Sequence, residues 1–140
     1  MLFEDKKMTL DSKLLLGDTL IDRQHDQLFD SLERIAALRE HSLNDEAVVD
    51  QLTRLNHLVL QHFVSEEALM KRVDFPVDQL AAHQAEHLRI LEELTHIHID
   101  IMQGRRHLVS DIVDQISNWI SVHVVDFDLG LQPYITKATH

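Results

Sequence analysis

The chain has 140 residues, no cysteine and a formal charge of −11, with 24 acidic residues against 13 basic. That charge repels nucleic acid and anionic membrane surfaces. The missing thiols exclude disulfides, thiolate catalysis and iron–sulfur or haem groups held by cysteine.

Three glycines, two prolines and a largely aliphatic apolar share suit helices and one domain over 1–140. Residues 1–17 read as an N-terminal arm that lacks the apolar core of a signal peptide. No apolar run approaches the ~20 residues needed to cross a bilayer, so the expected location is the cytoplasm.

The first helix is predicted over about 18–40, with Asp18 as its cap and Leu28, Phe29, Leu32, Ile35 and Leu38 at helical spacing. His25 falls on the same stripe. The second, about 45–72, carries Asp45 and Glu46 in its first turn and aligns Val48, Leu52, Leu55, Val59, His62, Glu66 and Leu69. Pro76 breaks it. The third, about 77–103, aligns Leu80, His83, His87, Ile90, Leu94, Ile97 and Ile101 before Gly104. The fourth, about 108–129, aligns Ile112, Ile116, Trp119, His123 and Phe127 and stops near Gly130 and Pro133. Four amphipathic helices on short connections predict an all-α, up-down-up-down four-helix bundle.

On every helix a histidine interrupts the apolar stripe: His25, His62, the pair His83 and His87, and His123. One such histidine is ordinarily a core residue with a hydrogen-bond partner. Five with Glu66 would each carry a desolvation cost unless something satisfied them jointly, and a metal held between facing helices does so. Imidazole and carboxylate without thiolate suit iron, manganese, copper or zinc, and the donors outnumber the four that one tetrahedral zinc takes. Two six-coordinate ions offer about twelve positions, of which five histidines, two bridging carboxylates and a solvent-derived bridge fill about eleven. One position stays open for a small molecule.

That count requires a second carboxylate near His123. Asp126 points roughly 60° from His123 around a regular helix and Asp128 roughly 140°, so periodicity favours Asp126. His96 and His98 flank Ile97 and are expected to point outward. Glu93-Leu-Thr-His96 fits the Glu-x-x-His motif of ferritin-like proteins, but a single copy does not make that site.

The runs Leu20-Ile-Asp-Arg-Gln-His25-Asp-Gln-Leu-Phe29, His62-Phe-Val-Ser-Glu66-Glu-Ala-Leu-Met70, His83-x-x-x-His87 and Trp119-Ile-Ser-Val-His123-x-x-x-x-Asp128 together resemble the hemerythrins, especially the single-domain bacterial kind. The resemblance implies two iron ions in an oxo- or hydroxo-bridged centre. His83, His87 and His123 would hold one iron and His25 and His62 the other, with Glu66 and Asp128 bridging. It therefore prefers Asp128 to Asp126, and a distortion is expected where the fourth helix ends.

An apolar oxygen pocket of Leu28, Phe63, Trp119, Ile120 and Val124 is implied as well. The expected function is reversible binding of dioxygen for carriage, storage or delivery rather than enzymatic turnover, with azide or another small anion binding the diferric state. Sensing through a protein partner, or reduction of nitric oxide or peroxide, are the alternatives; the sequence names no partner.

Overall fold

The computed structural model describes residues 16–42, 45–105 and 108–139. The arm up to residue 15, together with His107 and His140, lies outside the described residues. Four long helices, α1 (Thr19–Ala36), α2 (Glu46–Arg72), α3 (Val77–Met102) and α4 (Val109–Asp126), are followed by a 3-10 turn (Asp128–Leu131) and a short α5 (Gln132–Thr139). No strand occurs among the described residues. Each long helix packs on its neighbours in chain order and α4 closes back on α1, which makes an up-down-up-down four-helix bundle.

The helix ends follow from local chemistry. The Asp18 carboxylate accepts from the Ile21 amide at 3.0 Å, and Asp22 reaches back to the Leu16 and Gly17 amides at 2.8 and 3.1 Å. Gly17 has φ +97°, a conformation that strains residues with a Cβ, so this entry to α1 suits glycine. Asp45 caps α2 by accepting from Ala47 at 2.9 Å.

At the other end of α2, Asp74 takes φ +54° and the Phe75 amide donates to Met70 O at 3.0 Å, a six-residue closure that turns the chain into Pro76 and α3. Gly104, with φ +71°, ends α3 in the same manner, the Arg105 amide donating to Asp100 O at 2.9 Å.

Two boundaries differ from the sequence reading. The first helix ends at Ala36, because residues 37–41 tighten into turns closed by Leu38 N to Ile35 O and His41 N to Leu38 O. The chain after α4 does not simply stop. Pro133 lies in the first turn of α5, where its missing N–H costs no helical bond.

Two apolar clusters divide the interior. The larger is built from Leu28, Phe29, Leu32 and Ile35 of α1 with Val48–Phe63, Ile90–Ile97 and Val109–Val124 positions of the other helices. The smaller closes the opposite end with Leu16, Ile21, Leu69, Met70, Phe75, Leu131 and Ile135. Between them every long helix passes through one polar layer: His25 follows Ile21 and precedes Leu28, Glu66 precedes Leu69, and His87 precedes Ile90. No helix among the described residues is long and apolar enough to cross a membrane.

A buried histidine–carboxylate centre

His25, His62, Glu66, His83, His87, His123 and Asp128 meet in that layer, none more than 2% exposed. They form two groups that share the carboxylates: His83, His87 and His123 in one, His25 and His62 in the other, with Glu66 and Asp128 in both. Each carboxylate divides its oxygens between the groups. Glu66 Oε1 lies 2.6 Å from His83 Nε2 and 3.0 Å from His87 Nε2, while Oε2 lies 3.3 Å from His62 Nε2. Asp128 Oδ1 lies 2.9 Å from both His83 Nε2 and His123 Nε2, and Oδ2 lies 2.9 Å from His25 Nε2.

The fourth helix brings Asp128 inward by breaking. The backbone at Phe127 departs from the helix (φ −115°, ψ −57°) and the chain tightens into the 3-10 turn that Asp128 begins. Asp128 is fully buried, whereas Asp126, favoured by ideal periodicity, is exposed on the last turn of α4. The distortion reverses the roughly 140° that regular geometry would put between His123 and Asp128.

Charge balances within the layer. Burial alone pulls the His62 and His123 imidazoles down, but the hydrogen bonds and charges of Asp128 and Glu66 more than reverse it, to about 9 for His62 and about 10 for His123. His83 is raised against the same burial by the same two carboxylates. Burial pushes the Asp128 carboxyl up, yet the charge and hydrogen bond of His123, with bonds from His25 and His62, hold it well below the usual carboxylate range. Glu66, pushed up by burial and by Asp128, is likewise held low by His123, His62 and His83.

The donors fit metal ions better than they fit one another. Ligands about 2.1 Å from one ion on adjacent octahedral positions sit about 3 Å apart, which is the spacing of Glu66 Oε1, Asp128 Oδ1 and the His83, His87 and His123 nitrogens. His87 Nε2 and His123 Nε2 face each other at 3.1 Å, an approach suited to two ligands of one ion. His62 Nε2 and Glu66 Oε2 are buried 3.3 Å apart, and neither makes a well-aligned hydrogen bond among the described residues. A cation between them would satisfy both.

Apolar side chains seal the layer. Phe63 stacks on His87 with ring centroids 3.8 Å apart and 7° between planes. Phe127 stacks on His123 at 5.3 Å and meets His83 edge-on at 5.4 Å. A cavity of about 10 Å³, roughly the space for one water-sized molecule, is lined by His25, Leu28, Val59, His62, Phe63, Ile90, Ile120, His123, Val124 and Asp128.

Four of the five expected pocket residues line this cavity and Trp119 does not. Trp119 sits 100° around α4 from Ile120 and packs, partly exposed, on the outside of the larger cluster. Val59 and Ile90, one turn from His62 and His87, take part instead.

Sequence reasoning also missed Gln24 and Glu67, which meet the outer nitrogens of His62 and His87 at 3.1 and 2.8 Å. Each adjoins a site residue in sequence, and that adjacency was the available signal. Outside the centre, His96 is exposed as expected, but His98 is half-buried with Nε2 enclosed. The Ile97 stripe is wider at this point than its spacing implies.

Fold and site together define a helical bundle whose core is built to hold a pair of metal ions. The sequence profile of the hemerythrin HHE cation-binding domain matches residues 16–135, and the chain belongs to the hemerythrin family. Bacteriohemerythrins from two Campylobacter jejuni subsp. jejuni strains, of serotypes O:6 and O:2, are each 26% identical over 133 residues, covering 94% of this chain and 87% of theirs. A solved structure of wild-type hemerythrin superposes with a TM-score of 0.82 at 23% identity, covering 93% of this chain and 98% of that one. A point variant of hemerythrin gives the same score over 91% and 96%. The family binds a di-iron centre and dioxygen, and the buried cluster is the part of this chain able to hold such metal ions.

Proposed function

We propose that this chain binds dioxygen reversibly at one open position of a di-iron centre and serves its carriage, storage or delivery. His83, His87 and His123 would hold one ion and His25 and His62 the other, with Glu66 and Asp128 shared between them. The division of each carboxylate's two oxygens between the histidine groups supports this assignment.

When bound, the iron pair supplies the electrons and the vacant coordination position that dioxygen requires. The chain's own contribution is a shaped and dry surrounding. The observation that carries the reading is the cavity. It touches both histidines of the smaller group, His25 and His62, together with His123 and Asp128, and is otherwise walled by Leu28, Val59, Phe63, Ile90, Ile120 and Val124.

The group of three histidines with two carboxylate oxygens has one donor more than the group of two, so the ion held by His25 and His62, both of which line the cavity, would keep the position open to a small molecule. Apolar walls admit a small neutral molecule and exclude bulk water, which favours release over further reaction. Small anions such as azide would compete for the same position in the diferric state.

Reduced protein prepared without oxygen is expected to develop colour on exposure to oxygen and to bleach when oxygen is withdrawn. Immediate, irreversible oxidation with no oxygenated form would overturn the proposal.

A further inference from the structure

Two site histidines are gripped on the ring edge that faces away from the centre, one from each group. His87 Nδ1 lies 2.8 Å from Glu67 Oε2, and Gln84 Nε2 donates to Glu67 Oε1 at 3.1 Å. His62 Nδ1 lies 3.1 Å from Gln24 Oε1, while Gln24 Nε2 donates to Ser65 Oγ at 3.0 Å. Carboxylate and amide oxygens only accept, so both rings donate from Nδ1 and turn Nε2 into the centre. By contrast, the buried Nδ1 atoms of His25 and His123 have no hydrogen-bond partner among the described residues.

The grips differ in charge. Glu67 is an anion, partly open to solvent and itself anchored by Gln84. Gln24 is neutral and 7% exposed. An anionic acceptor makes an imidazole a stronger donor to a metal as well as orienting it, whereas a neutral acceptor chiefly orients.

We infer that Glu67 and Gln24 are positioning residues with separate assignments: Glu67 secures the ion held by His83, His87 and His123, and Gln24 governs retention of the ion held by His25 and His62. This inference rests on the di-iron reading above. Its consequence is ordered loading, the three-histidine position filling first.

The test is an anaerobic iron(II) titration of the metal-free full chain, with nitrogen-15 NMR of the zinc(II)-loaded protein to observe the Nδ1 protons directly. The parent chain takes up two ions in two steps. Glu67→Leu weakens the first step by roughly 10–100-fold, and Glu67→Gln, which restores an acceptor without the charge, recovers the His87 Nδ1–H signal and part of the affinity. Gln24→Leu weakens the second step by a similar factor, leaves the first within about threefold, and removes the slowly exchanging His62 Nδ1–H signal. Gln24→Glu restores that signal.

If Gln24→Leu fails to fold by circular dichroism, Ser65→Ala removes only the anchor of the amide, and it is expected to weaken the second step several-fold. Equal effects of the Glu67 and Gln24 variants on both steps, or no effect on either, overturn the inference. A parent chain that binds fewer than two ions overturns the di-iron reading instead.

Discussion

Replacing Asp128 by asparagine keeps its shape and removes its charge. The Asp128 oxygens lie 2.9 Å from Nε2 of His25, His83 and His123, and the residue is fully buried. Removing one partner from a buried ion pair costs about 3–5 kcal/mol, because the remaining charge stays desolvated. With roughly 3 °C of Tm per kcal/mol for a chain of this size, Asp128→Asn is expected to melt about 9–15 °C lower at pH 7.

The loss has a defined pH window. The folded Asp128 carboxyl titrates below its unfolded value, so its contribution is complete above about pH 4 and disappears as pH falls through the folded pKa. His62 and His123 are raised to about 9 and about 10, so theirs is complete below about pH 6.5 and disappears as pH rises through those values. The gap between parent and variant is therefore widest from about pH 4 to 6.5, remains large at pH 7 and narrows toward pH 10. Chelator-treated proteins followed by circular dichroism at pH 6, 7 and 10 provide the assay, with Asp126→Asn as the exposed control. A variant at position 128 that melts with the parent, or an Asp126→Asn that falls as far, would refute the reasoning.

Metal uptake by the chelator-treated chain at pH 7.5 should release at least about two protons, since His62 and His123 must give theirs up to become ligands and His83 is raised as well. Calorimetric heats that do not differ between Tris and phosphate buffers would contradict this. Leu131→Ala, at a fully buried position of the smaller cluster, should lose about 2–5 kcal/mol and retain metal poorly, because the affected turn also carries Asp128. Leu52→Ala in the larger cluster should cost a similar amount and retain metal normally; equal metal loss in both would detach Leu131 from the site. Leu28→Ala should widen the cavity and speed azide binding by the diferric protein at unchanged iron content, measured by stopped flow; an unchanged rate would mean that this wall does not limit access.

The helices were legible because alternating steps of three and four leave few alternatives to an amphipathic stripe, and the site was legible because histidines occupied that stripe. Periodicity failed where the backbone stopped being periodic. It chose Asp126 over Asp128, since a regular helix cannot show that Phe127 breaks the geometry. The short α5 was missed because Pro133 reads as a terminator and is also compatible with a first turn.

Trp119 was assigned to the pocket by family resemblance, and its place one residue before Ile120 turns it away from the cavity. Gln24 and Glu67 carry no periodic signal. Their role exists only because α1 meets α2, and α2 meets α3, in a register that brings them to His62 and His87.

The break after α4 serves two purposes with one turn of chain. It swings Asp128 into the polar layer, and three residues later it delivers Leu131 into the smaller cluster, beside Ile135 of α5. The apolar contact holds the carboxylate in place: Asp128 turns back into the layer because Leu131 and Ile135 anchor the following segment against Leu16, Ile21 and Met70. A polar layer of seven buried groups is costly in a metal-free bundle, and confining it between two clusters limits how far it can relax toward solvent. Those clusters fix the helices on either side of the layer and set neighbouring donors about 3 Å apart, the spacing that adjacent ligands of one ion require.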